Sequence, residues 1–260
     1  MIKTCVVIGS GNVATHLARA LAPHIEIKQI FSRNIGHARE LAASISPACN
    51  AVDEADAVCR DADLYLMAVT DDSIAALTES IKWCGNGIWV HTSGSVDAGV
   101  FEGHRSRYGV FYPLQTFSKS KPVDMSQVPL FVEANEERTA EELQALASKI
   151  SGRVSRLDSE GRRRLHIAAV FACNFVNYMW TVADRQLRMC GTDIHALDPL
   201  LRETIEKISS LSPAEAQTGP ARRGDTHVME RHIAMLDEAD ARLYELISCQ
   251  IYNTYHHEQD

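Results

Sequence analysis

Cysteine is sparse in this chain and never closely paired. Its seven cysteines (Cys5, Cys49, Cys59, Cys84, Cys173, Cys190 and Cys249) include no CxxC, which argues against a zinc ribbon or a dithiol motif. An odd, scattered set fits reduced thiols, most of them acting as small buried apolar side chains. Basic charge is also short. With 26 Lys and Arg against 34 Asp and Glu, the formal charge is −8, which speaks against a general nucleic-acid binder. Arg-rich patches such as Arg162-Arg163-Arg164 leave room for local anion binding, and the favoured reading is a solvated helix face. No uninterrupted apolar run approaches the roughly 18–20 residues of a bilayer span. Strand-like sequence begins at Thr4, leaving no room for a leader peptide, so the expected location is cytoplasmic without membrane contact. There is no internal repeat, no low-complexity tract and no residue grouping that calls for a metal.

What is present is ordinary globular material, 260 residues at 45% hydrophobic and 23% charged, enough for one large or two modest domains. The most informative stretch comes first. A short apolar run, Cys5 to Ile8, ends in Gly9-Ser10-Gly11-Asn12-Val13-Ala14 and passes into Leu17, Ala18 and Leu21 at helical spacing. This predicts strand, tight glycine turn and helix, the arrangement in which backbone approaches a pyrophosphate at a helix N-terminus. Ala14 stands where a third glycine often sits, and its small side chain still lets helix pack on strand.

Strand and helix then alternate. Strands are expected at Ile25–Phe31, Leu64–Val69, Ile88–His91, Tyr108–Tyr112 and Leu130–Glu133, with helices at His37–Ile45, Asp53–Cys59 and Ser73–Trp83. Such alternation predicts an α/β fold, a parallel sheet wrapped on both faces. Glu137–Ile150 reads as an amphipathic helix and Val154–Leu157 as a last edge strand. Beyond them the pattern is wholly helical, over Leu165–Leu187, Leu197–Ser209 and Thr226–Tyr252. The expected domains are therefore 1–157, which binds the dinucleotide, and an all-helical 158–260. The tail Tyr255-His256-His257-Glu258 reads as frayed.

Cofactor choice is written at the end of the second strand. An NAD site would offer a carboxylate there, whereas this chain has Ser32-Arg33-Asn34, a hydroxyl and a guanidinium suited to the 2′-phosphate of NADP. The same absence counts against a methyltransferase that binds S-adenosylmethionine. Ligands of open sheets lie beyond the carboxyl ends of the strands. Val69-Thr70 and Thr92-Ser93 therefore join Gly9, Ser10, Gly11, Asn12, Val13, Ser32 and Arg33 as candidate cofactor contacts. His91, in the same cluster, reads equally well as a substrate contact or a structural hydrogen bond. In the helical part, His166, Val170 and Asn174 fall at i, i+4 and i+8, which places two polar groups on one apolar face. They are the candidate proton donor and oxyanion partner, set against a purely structural pairing between helices. Asp225 reads as an N-cap, with Arg223 free to reach into a cleft.

The segments VIGSGNVA, VTDDSI, HTSGS, FYPLQTF, HIAAVFACNF and TGPARRGD, in that order, give the chain a family resemblance. It resembles the Rossmann-like proteins that carry the C-terminal domain of unknown function 2520, often labelled NADP oxidoreductases of the deazaflavin-dependent type. The resemblance implies a dinucleotide domain followed by a helical substrate domain that commonly dimerises. It also implies the hydride chemistry of NADP(H) on a small carbonyl or imine substrate. Many relatives are expected to carry histidine before the proline at 113, where this chain has Tyr112, a poor neutral-pH proton carrier on its own. The Lys–Asn pair of hydroxyacid dehydrogenases is absent too. That leaves a second possibility, a non-catalytic NADP(H) sensor.

Overall fold

The computed structural model describes residues 1–83 and 85–256. The described chain divides into two compact units, Met1–Asn174 and Phe175–Asp260.

The first unit is built on one eight-stranded sheet in the order β3-β2-β1-β4-β5-β6-β7-β8. Its strands are β1 (Thr4–Ile8), β2 (Glu26–Phe31), β3 (Asn50–Val52), β4 (Leu64–Met67), β5 (Ile88–His91), β6 (Tyr108–Pro113), β7 (Leu130–Ala134) and β8 (Val154–Arg156). Helices α1 (Asn12–Leu21), α2 (Ile35–Ile45), α3 (Asp71–Ser80) and α4 (Glu137–Ala147) connect them. The expected alternation is there, with two differences. Asn50–Val52 pairs as a short edge strand, and the segment expected to be helical after it is a single 3₁₀ turn, Ala55–Ala57. Strand β7 runs antiparallel to β6, so the sheet is mostly rather than wholly parallel. A 3₁₀ turn, Met125–Gln127, is all that interrupts the loop from β6 to β7, which leaves no crossover helix to bring β7 back parallel.

The central strands are apolar at nearly every position because both sheet faces are covered. Cys5 and Val7 of β1 join Leu17 and Leu21 of α1 and Leu143 of α4 in one cluster. Val6 and Ile8 turn to the other face, with Tyr65, Trp89 and Ile74 of α3. This is the two-residue period of a strand read out on both sides. The chain reverses its direction of travel across the sheet at β1 and β4, which makes the crevice beyond their carboxyl ends the natural ligand position.

The compact first unit continues past the change in composition at residue 157. Helix α5 (Ser159–Ala169) seats Ser159 and Arg162 in the interior. The segment expected as one α-helix from Leu165 is α5, a π-helical stretch Val170–Phe175, and α6 (Val176–Met189). Between Ser159 and Met189 this helical segment has a window of mean hydropathy 1.3, none of it buried. One helix is therefore long and apolar enough to cross a bilayer by length and composition. The sequence shows no uninterrupted run because Asn174, Asn177 and Thr181 are interspersed.

In the second unit α6 is followed by α7 (Asp198–Ser210), α8 (Pro213–Ala216), α9 (Pro220–Arg223), α10 (Thr226–Ile233) and α11 (Glu238–His256). The helix expected over Thr226–Tyr252 is broken in two. Asp237 accepts from the Asp240 backbone N–H at 2.9 Å and so starts a new helix. Tyr255 and His256 lie within α11, bonded to backbone oxygens of Ala214 and Arg222, so they are not frayed. His257 and Glu258 lie outside the described residues.

Candidate active site

The first turn is shaped by two glycines with different duties. Gly9 has φ of +121°, and a Cβ there would lie 2.2 Å from the Ala68 carbonyl oxygen. Glycine is demanded at that position by conformation and by packing. Gly11 has an ordinary φ of −78°. A Cβ built on it would meet no protein atom within 4 Å. Nothing in the fold requires glycine there, so the space over Gly11 is room for a ligand. Helix α1 begins at that point with no side-chain cap and no acidic residue in its first turn. Its leading N–H groups and positive dipole end are therefore left for an anion to satisfy.

Ten of the expected cofactor residues line one cavity of about 340 Å³: Gly9, Ser10, Gly11, Asn12, Val13, Ser32, Arg33, Val69, Thr70 and Thr92. It sits beyond the ends of β1, β2, β4 and β5. The Ser10 hydroxyl donates to Ser32 Oγ at 2.8 Å. Arg33 is exposed and makes no ion pair or hydrogen bond among the described residues. A free guanidinium beside a serine hydroxyl at this rim has the donor chemistry an adenosine 2′-phosphate requires. The residues present fit the dinucleotide, from the bare Gly11 cradle to the cationic rim.

Other placements add detail. Asn12 gives its side-chain amide to the Phe117 carbonyl oxygen at 2.9 Å, and His16 Nε2 lies 2.9 Å from the Ser118 carbonyl oxygen. The loop after β6 is thereby pinned beside the start of α1. Ser93 faces inward: its Oγ accepts from the backbone N–H groups of Ser95 and Val96. Ser73 and Leu77 of α3 also line the cavity. The polar Thr70-Asp71-Asp72-Ser73 run is the available signal for Ser73, and nothing in the sequence marks Leu77. Thr70 takes the N-cap position of α3, with Oγ1 and Ser73 Oγ 2.9 Å apart, and Asp71 and Asp72 occupy the first turn.

His91 is fully buried, and its Nδ1 accepts from the Ser93 backbone N–H at 3.2 Å. Burial, helped by the Arg162 charge, pushes its pKa down to about 4, so the ring is neutral and structural. Arg162 is likewise buried rather than solvated. It pairs with Glu133 and donates to the carbonyl oxygens of Ser93 and Val96. Arg163 and Arg164 pair with Asp97 and Glu160, so the cluster is no anion patch. Arg162 fixes the loop that follows β5 against α5.

That loop carries the second feature of the site. Thr92 lines the cavity, and Gly94, two residues on, supports the ring of His166. His166 Nδ1 lies 3.0 Å from Tyr112 Oη. Asn174 is exposed within the π-helical stretch, where wider turns change the α-helical spacing that relates it to His166. In the second unit Asp225 occupies the expected N-cap position of α10, but its side chain makes no capping hydrogen bond. Its carboxylate accepts from Arg223 Nε at 2.9 Å, which also accounts for the arginine. Free thiols are buried at Cys5 and Cys49, half-buried at Cys59 and exposed at Cys173, Cys190 and Cys249; Cys84 lies outside the described residues. Half of the described cysteines are therefore surface groups, not core filler. No group of three or more possible metal ligands forms among the described residues.

Known proteins share this fold. Residues 4–88 match the family model described as NADP oxidoreductase, coenzyme F420-dependent, and residues 128–251 match the domain of unknown function 2520. The structure of BF3122 from Bacteroides fragilis, provisionally named an NADP oxidoreductase, is 42% identical with a TM-score of 0.91. That match covers 97% of this chain and 98% of BF3122. TM1727 from Thermotoga maritima is 22% identical with a TM-score of 0.69, over 98% of this chain and all of its own. An imine reductase from Myxococcus stipitatus, solved with NADP+, shares the fold at 12% identity, TM-score 0.66, over 98% of this chain and 93% of its own. None of the curated proteins matches the sequence. The full-length match to BF3122 and the two family models show that the chain belongs to the Rossmann-type NADP oxidoreductases carrying the C-terminal domain of unknown function 2520.

Proposed function

We propose that the protein is an NADP(H)-dependent reductase of a small carbonyl or imine compound. The observation that carries this reading is the cavity at the β1/β4 crossover, open above Gly11 and edged by the unpaired Arg33. NADPH, when bound, supplies hydride to the electrophilic carbon. Backbone at Gly9–Val13 cradles the pyrophosphate, while Ser32 and Arg33 hold the 2′-phosphate. His166 supplies the proton or hydrogen bond that the substrate heteroatom needs as charge develops, and Asn174 is a second donor to it. That imine reductases share the fold supports the substrate class.

Calorimetric titration with NADPH and NADH, on wild type and Arg33→Ala, tests this. The expected result is NADPH binding that weakens about tenfold in the variant, with NADH unaffected. Failure of wild type to bind either nucleotide overturns the reading. Binding without turnover of any carbonyl or imine would instead favour the sensor.

The helical unit is the proposed homodimer surface. Tyr178 and Met189 on α6 and Leu200, Ile205 and Ile208 on α7 are all exposed in the single chain. Light scattering of the purified protein should give twice the chain mass; a monomer at micromolar concentration refutes this.

A further inference from the structure

Strand β6 brings Tyr112 against α5, where its hydroxyl meets His166 Nδ1 at 3.0 Å with the two rings inclined at 75°. The imidazole also lies against the bare backbone of Gly94. A Cβ built on Gly94 would come within 2.5 Å of Nδ1 and 2.6 Å of Cγ of His166. The ring thus has a seat made by an absent side chain and a single hydrogen bond that sets its rotation. Tyr112 Oη has no second hydrogen-bond partner among the described residues, and burial raises its pKa, so the phenol keeps its proton at neutral pH. The phenol O–H, with no other acceptor among the described residues, satisfies its hydrogen bond by donating to that nitrogen, and this direction selects one tautomer of the ring. Nδ1 is then the acceptor and the proton of the neutral ring sits on Nε2. Nε2 lies across the imidazole from Cγ, hence away from Gly94, and has no partner among the described residues.

We propose that Tyr112 is the positioning residue of His166: it fixes the ring and its tautomer so that Nε2–H faces outward as a hydrogen-bond donor. This rests on the reductase reading and narrows it. The substrate must bring an acceptor atom to His166, a carbonyl oxygen or an imine nitrogen, rather than an N–H or O–H. A phenol suits this task better than a carboxylate, because it orients the ring without adding a negative charge that would hold a proton there. When the imidazole is protonated, the phenol can turn and accept from Nδ1–H, so one contact holds the ring in both charge states and Nε2 bears a proton in each. The tyrosine before Pro113 is therefore no failed substitute for a histidine; it acts through the histidine on α5.

The test is long-range ¹H–¹⁵N correlation spectroscopy of the full-length labelled protein, with His166 signals identified by their loss in His166→Gln. With the imidazole neutral, wild type should show a pyridine-type Nδ1 and a pyrrole-type Nε2. In Tyr112→Phe both nitrogens should move toward averaged values as the tautomers mix. A pyrrole-type Nδ1 in wild type, or an unchanged pattern in Tyr112→Phe, overturns the proposal. In turnover, Tyr112→Phe should lower kcat at least ~10-fold while NADPH affinity stays within about twofold; an unchanged kcat also overturns it. The spectra need no cofactor. Wild type that fails to bind NADPH would sink the reductase reading while leaving the tautomer result to stand or fall by itself.

Discussion

Ser10 on the first turn and Ser32 at the end of β2 are joined hydroxyl to hydroxyl at 2.8 Å, which ties the glycine turn to the proposed 2′-phosphate position. Ser32 has a second tie, the Asn34 backbone N–H at 3.4 Å, at the long limit of such a bond. Ser32→Ala should weaken NADPH binding by about 1 kcal/mol and leave NADH almost unchanged. Equal losses for both nucleotides in calorimetry would mean that the hydroxyl shapes the turn rather than touching the phosphate.

The two glycines of the turn should separate stability from binding. Gly9→Ala forces a Cβ into the Ala68 carbonyl at a φ of +121°, so the protein should lose several kcal/mol, roughly 2–4, in urea unfolding. Gly11→Ala meets no protein atom, so its unfolding midpoint should match wild type while NADPH affinity falls at least ~10-fold. A Gly11→Ala protein that binds NADPH normally would remove the cradle from the site.

Breaking the buried ion pair should cost much more than its surface neighbours. Arg162 is fully buried, and Arg162→Met leaves the Ser93 and Val96 carbonyls without this donor and the Glu133 carboxylate without its charge partner, held among the described residues by the Ser159 hydroxyl alone. A loss of about 3–5 kcal/mol is expected. Arg164→Met removes an exposed pair with Glu160 and should change stability by under ~0.5 kcal/mol. Chemical denaturation of the two variants side by side measures the contrast.

His91 should give stability an acid slope. Its pKa falls from 6.5 to about 4 on folding, so the unfolded chain takes up the proton first. The stabilisation is complete above pH 6.5 and is lost as the pH falls toward 4, by up to ~3 kcal/mol. The carboxylates held low by their partners, such as Asp63 and Asp97, titrate below that window. Replacing His91 with Asn should flatten the slope between pH 6.5 and 4.5 in thermal melts. An identical slope would assign it to other groups.

Most of the fold is legible because local pattern and burial agree. The run Cys5–Ile8, the glycine turn and Leu17–Leu21 state strand, turn and helix without tertiary help. Ser32-Arg33 is legible for a different reason, since its chemistry shows in the residue types. Arg162 is not legible, because three consecutive arginines look alike in sequence and only the 100° step of the helix turns one of them inward. Asp225 misleads similarly: an aspartate before a helical run promises a cap, but Arg223 takes the carboxylate first. The π-helical stretch at Val170–Phe175 has no turn residue to announce it, and the reversal of β7 depends on a long polar loop whose path the sequence leaves open.

The thiols give the molecule a built-in labelling map. Cys173, Cys190 and Cys249 lie exposed along the helices, whereas Cys5 and Cys49 are sealed in the sheet's core and their thiolates suppressed by burial. A mild alkylating reagent applied to the native protein will therefore mark the helical surface and spare those two. Mass spectrometry of the adducts then serves as a footprint, in which protection of Cys173 or Cys190 at high protein concentration would locate the proposed dimer contact. Late modification of Cys5 reports opening of the sheet itself.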